Sequence, residues 1–86
     1  MIVRNAEFAD MKLLGHIMSV SFHTAFSELV SKQTLDACAR EDNCIAMLEG
    51  VFQQGKVHFL IGEDSGMLAW QQTQEGAEII AIHSLP

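Results

Sequence analysis

Apolar residues recur at spacings of three and four along the first quarter of the chain: Phe8, Met11, Leu14, Ile17, Met18 and Phe22, with Ser21 on the same line. That periodicity is one face of an amphipathic helix, predicted at about residues 8–22. Asp10 stands near its start, where a carboxylate meets orphan amides and the positive end of the helix dipole. Ahead of it, Met1 to Arg4 reads as a short strand with Ile2 and Val3 as its apolar pair. Residues 23–32 are less regular and read as a short helix or an irregular link, with Ser27 as a possible cap and Val30 as the last apolar contact. Gln33 to Arg40 reads as another helical piece. Asp42 or Asn43 then caps a further helix through Gln54, with Ile45, Leu48, Val51 and Phe52 as its stripe. Gly55 ends that helix in the C′ position, which glycine fills at least cost.

From Lys56 the period changes to that of strands. Lys56 to Gly62 is one strand, Glu63-Asp64-Ser65-Gly66 a turn, Met67 to Thr73 the next strand, and Gln74-Glu75-Gly76 the next turn. The last strand runs from Ala77 to about Leu85, and Pro86 ends it because proline cannot donate to a ladder. Its centre, Ile79 to Ile82, is apolar on both faces, which suits a strand covered on both sides. Strands joined by short glycine-containing turns form an antiparallel meander. The predicted class is α+β: an antiparallel sheet of about four strands in the order β-α-α-β-β-β, with the helices packed on it. No internal repeat, low-complexity segment or linker interrupts the chain.

Composition narrows the choices. Eighty-six residues make one domain at most, with a small core. A hydrophobic content of 49% is high for that size, and implies either self-association or a missing partner segment. The net charge of −6 and five scattered Lys and Arg exclude a phosphate-tracking surface, so nucleic acid is not expected as a partner. Cys38 and Cys44 are too few for a disulfide framework, and the four histidines lack metal-ligand spacing, so no metal is expected. No apolar run approaches the ~18 residues of a membrane span. The first residues lack the basic and apolar regions of a signal peptide, and a cytoplasmic location is expected.

Three stretches together resemble the GCN5-related N-acetyltransferases. Ile2-Val3-Arg4-Asn5-Ala6-Glu7-Phe8-Ala9-Asp10 resembles the family's opening strand-to-helix entry, I-R-x-A-x-x-x-D. Ile61-Gly62-Glu63-Asp64-Ser65-Gly66-Met67-Leu68-Ala69-Trp70 resembles its A-E-x-x-G-x-x-x-G hairpin, with Ala69 where a glycine is common. Ala77-Glu78-Ile79-Ile80-Ala81-Ile82-His83-Ser84-Leu85-Pro86 resembles its fourth strand, A-E-I-x-x-L-x-V-x-P. In that family the proline is followed by R/Q-x-x-G-x-G/A and a helix, whose N-terminal amides bind the pyrophosphate of acetyl-CoA. This sequence stops at Pro86, before that motif, and holds no G-x-G. Residues 1–86 are therefore expected to be a single partial domain, the N-terminal half, inactive alone and binding acetyl-CoA weakly or not at all.

The resemblance implies roles for particular residues. Glu78 would act, directly or through water, as the base that takes a proton from an amine acceptor; otherwise it is an exposed strand-end glutamate. His83 is the other candidate base, near neutrality in its ordinary pKa, or else a half-buried strand histidine. Main-chain groups of Ile82, His83 and Ser84 would pair with the pantetheine arm as an added strand does. Phe22, His23 and Phe26 would line the acceptor site, or serve the core. Trp70 would floor that pocket, or pack under the helices. The alternative to an enzyme fragment is a non-catalytic module that assembles through its strand edge. A homodimer through the 77–85 edge, or by swapping that strand, is expected, because an unblunted apolar edge recruits another strand.

Overall fold

The computed structural model describes residues 2–86, so Met1, the first residue of the predicted opening strand, lies outside it. The elements are β1 (Val3–Asn5), a 3-10 turn (Phe8–Asp10), α1 (Met11–Phe26), α2 (Lys32–Cys38), α3 (Glu41–Gln54), β2 (Val57–Gly62), β3 (Gly66–Thr73) and β4 (Gly76–Ser84). The four strands form one antiparallel sheet in the order β1-β2-β3-β4. The fold class is α+β, as the periodicity predicted.

The core lies between the helices and one face of the sheet. Met11, Leu14, Ile17 and Met18 of α1 and Cys44 and Leu48 of α3 meet Phe59 and Ile61 of β2 and Met67 and Ala69 of β3. Residues two apart on a strand share a face, so Phe59 and Ile61, and Met67 and Ala69, bury together. The intervening His58, Leu60, Leu68 and Trp70 look out from the opposite face. Helices α1 and α3 cross closely at Gly15, where Ile45 occupies the space a side chain would need.

Several boundaries differ from the sequence expectation for identifiable reasons. Helix α1 continues to Phe26, since Phe22 and Phe26 stack one turn apart at 6.0 Å and extend its apolar face. Ser27 opens no helix and stands at the C-cap of α1; Ser31 caps α2, its hydroxyl accepting from the Thr34 amide at 3.2 Å. Asp10 does not cap α1 either. Its carboxylate accepts from the Glu7 amide at 2.7 Å and takes both arms of the Arg4 guanidinium, at 2.8 and 2.9 Å. That pair ties β1 to the helix entry and holds the Asp10 pKa down to about 2, the Arg4 hydrogen bond being the main cause. Arg40, not Asp42 or Asn43, stands at the start of α3, with Glu41 and Asp42 in its first turn, where the dipole favours acids. Gly55 does end α3, at φ 74°.

Candidate functional site

The site is built on β4, the last strand of the sheet, whose ladder with β3 carries one irregularity. Ala69 faces Ala81, but the next residue, Trp70, faces Ile79, so Ile80 is an extra residue in β4. Such a bulge shifts the side-chain alternation by one. Glu78 lies opposite Gln71, Ala81 opposite Ala69 and His83 opposite Met67. All three therefore point to the helix-covered face. Five residues apart on a regular strand, Glu78 and His83 would point to opposite faces.

Sharing a face does not bring the two together. Their partners Gln71 and Met67 are four residue steps apart, roughly 13 Å at about 3.3 Å per residue. One acceptor nitrogen cannot be in hydrogen-bond contact with both. Glu78 is exposed and accepts from Gln71 Nε2 at 3.3 Å. His83 is half-buried, its Nδ1 at 3.1 Å from Ser21 Oγ and its ring 5.0 Å from that of Phe22. Burial lowers the His83 pKa, so the imidazole is neutral at physiological pH. With the proton on Nδ1 donated to Ser21, Nε2 is left as a hydrogen-bond acceptor.

His83 opens onto a cavity of about 410 Å³ under β4, walled by Met18 and Phe22 of α1, Met47 of α3, and Ala81. A second cavity of about 370 Å³ lies between the end of α1 and α2, against Phe26, Val30 and Leu35. Phe22 and Cys38 line both. The structure thus brings Phe22, Phe26 and His83 together at one place. His23 is elsewhere engaged: Nδ1 meets the Ser19 carbonyl at 2.8 Å and Nε2 meets Asp36 at 3.0 Å. The Ser19 carbonyl and then Asp36 raise its pKa, and an imidazole donating from both nitrogens is the cation. His23 clamps α1 to α2 and lines neither cavity. Trp70 corrects the expectation twice over. It packs neither under the helices nor beside Phe22; it lies on the opposite face, its ring 4.6 Å from that of His58, because it alternates with the buried Ala69. Ser21 was missed, since a lone serine within a helical stripe carries no signal in sequence.

The free edge of β4 is the other part of the site. The Leu85 amide donates to the Ser65 carbonyl at 2.8 Å, which fixes the phase of the ladder. Main-chain groups alternate between the two sides of a strand, so those of His83 face β3 while those of Ile82 and Ser84 face outward. Of the three residues expected at the edge, two offer free amide and carbonyl groups there. Among the described residues no group of three His, Cys, Asp or Glu could hold a metal ion, and no helix is long and apolar enough to cross a membrane.

No protein-family model and no curated protein matches the sequence. Among solved structures, the PaiA N-acetyltransferase of Thermoplasma acidophilum, in complex with coenzyme A, superposes with a TM-score of 0.75 at 17% identity. This chain has an N-acetyltransferase fold. The likeness covers 99% of the chain but 58% of the PaiA chain, so the sequence spans little more than half of that neighbour's length. At this identity it is the fold that is shared.

Proposed function

We propose that residues 1–86 are the N-terminal part of an N-acetyltransferase that transfers acetyl from acetyl-CoA to an amine, and that this part alone is inactive. The observation that carries the reading is the free edge of β4 beside the His83 cavity. Outward amide and carbonyl groups at Ile82 and Ser84 suit an amide-bearing arm laid along the strand. Acetyl-CoA supplies an electrophilic thioester carbonyl: the amine nitrogen bonds to its carbon, the C–S bond breaks, and the thiolate leaves with the electron pair. The amine must also lose a proton, which ends on the thiolate. His83, neutral and lining the cavity, is the candidate base for that proton, acting through Nε2 when Nδ1 carries the proton donated to Ser21. Glu78 would act through water, given its distance along the strand.

The test is a titration of the isotopically labelled chain with acetyl-CoA, followed by amide NMR shifts. We expect changes centred on Ile82 and Ser84, with affinity no better than millimolar, because the chain holds no glycine-rich pyrophosphate loop. Micromolar affinity, or acetyl transfer by this chain alone above the buffer rate, overturns the partial-site reading. Shifts elsewhere, with none at Ile82 and Ser84, overturn the role of the edge.

One observation also favours assembly. Ile79 and Ile82 are 59% and 64% exposed beside the unpaired edge, and Glu78 is the only charge in β4. Edges so little blunted recruit strands. A homodimer pairing two β4 strands antiparallel about a two-fold axis would cover them.

A further inference from the structure

We infer that the two neighbouring cavities lined in common by Phe22 and Cys38 take one acceptor: a primary amine carried on a short chain whose other end is aromatic or similarly apolar. This inference deepens the transferase reading and rests on it for the direction of the chemistry. Neither cavity is lined by an Asp, Glu, Lys or Arg side chain. Nearby carboxylates are already engaged, Asp36 by His23, Glu41 by His16, and Asp42 by Arg40. A second ammonium group would therefore be desolvated with no counter-charge, which is costly in an apolar site. An acidic or phosphorylated acceptor would find no cation. One nitrogen can be served, at His83, the only imidazole among the residues that line either cavity.

The remaining surface selects the body of the molecule. Phe22 and Phe26 stack with their planes 23° apart; Phe22 lines both cavities and Phe26 the second one. Val30 and Leu35 close the far side of that second cavity. Such a slot binds a ring through apolar contact and offset stacking. Its near end, where the Phe22 ring lies against His83, also attracts a cationic amine before the proton is lost. The net charge of −6 draws cationic amines in and repels acidic competitors.

Cys38 gives a direct readout, because its exposed thiol lines both cavities, whereas Cys44 lines the His83 cavity alone and is buried. Burial, then Glu41 and Asp42, raise the Cys44 pKa and keep that thiol unreactive, so the first alkylation reports Cys38. The rate of Cys38 alkylation by iodoacetamide is followed by intact mass, with phenethylamine, diethylenetriamine, ethanolamine or the neutral phenethyl alcohol present at equal ionic strength. Phenethylamine at roughly ten times its Kd should slow Cys38 about tenfold, since protection follows occupancy. The other three should leave the rate within about twofold at the same concentration. Phe26→Leu, at an exposed position outside the buried core, should weaken protection by phenethylamine while circular dichroism stays unchanged. Equal protection by the triamine or ethanolamine overturns the substrate class. Equal protection by the alcohol overturns the amine requirement. No protection by any amine overturns the site, even in a chain whose β4 amides shift with acetyl-CoA. Protection without those shifts defeats the transferase reading instead, and leaves an amine-binding cavity.

Discussion

The crossing of α1 and α3 at Gly15 sets two physical effects against each other, and the structure says which wins. Alanine is the better helix former by about 0.8–1 kcal/mol, so Gly15→Ala should stabilise α1 if propensity alone acted. A Cβ at Gly15, however, would lie 2.3 Å from Ile45 Cγ1, 2.8 Å from the Ile45 nitrogen and 2.9 Å from its Cα. Carbon atoms pack best at about 3.5–4.0 Å, so the shortfall is about 1 Å. A side chain could swing away, but the Ile45 backbone sits within α3 and moves only with the helix. Shifting α3 loosens Cys44 and Leu48 against Leu14 and Met18, all buried. Overpacking of this kind costs roughly 1–3 kcal/mol, and here the contact is with backbone, so the upper half of that range applies. Net of propensity, Gly15→Ala should destabilise by about 1–2 kcal/mol. Gly50, inside α3, is the matched control, because a Cβ there meets nothing within 4 Å. Gly50→Ala should stabilise by about 0.8–1 kcal/mol. Urea midpoints at constant m-value read both. A Gly15→Ala chain as stable as the parent, alongside a stabilised Gly50→Ala, would show that the helices do not approach this closely.

Acid should reveal the Arg4–Asp10 pair. The Asp10 pKa is depressed from 3.8 to about 2, so its contribution is complete above pH 3.8 and is lost as pH falls toward 2; Asp10→Asn should remove that part of the acid sensitivity of the urea midpoint. His23 has the opposite sign. Its raised pKa means its contribution is complete below its ordinary value of 6.5 and fades as pH rises through the folded value, so the parent should lose more stability than His23→Asn between pH 6 and 9. Light scattering at micromolar concentration should give about twice the 9.5 kDa chain mass, and Ile82→Lys should return a monomer by charging the edge; a monomeric parent would refute pairing through β4. Glu78→Gln should change stability by less than about 0.5 kcal/mol, being exposed, and a larger loss would make Glu78 structural.

Much of this architecture was legible because its signals are local. Glycine turns and the step from a period of 3.6 to one of 2 give the meander and the helix-then-sheet order. The buried pairs Phe59 with Ile61 and Met67 with Ala69 follow from alternation alone. The β4 bulge was not legible. Ile79, Ile80, Ala81 and Ile82 are all apolar, so their pattern carries no phase, and phase is what the extra residue changes. Trp70 was misplaced for a related reason: β3 is apolar on both faces, so its two sides look alike in sequence. The reach of α1 to Phe26 was hidden by the polar His23 and Thr24. His23 is satisfied there by a carbonyl one turn back and by a carboxylate from another helix, neither of which the local sequence announces. The contact of Ser21 with His83 joins residues 62 apart, beyond any local pattern.

The extra residue at Ile80 divides β4 into two stretches of opposite parity. Before it, even-numbered residues face the helices; after it, odd-numbered ones do. A saturation library of β4 would therefore show a tolerance pattern that slips phase within one strand. Charges would be refused at Ala81 and His83, yet the inward position on the other side would be Glu78, not Ile79. Deleting Ile80 would leave an ordinary ladder with the same pairing, Trp70 opposite Ile79 and Gln71 opposite Glu78, so Glu78 would keep its place on the helix-covered face. Inserting a residue elsewhere in β4, by contrast, would slip that phase, so the strand tolerates the loss of this one codon better than the gain of another.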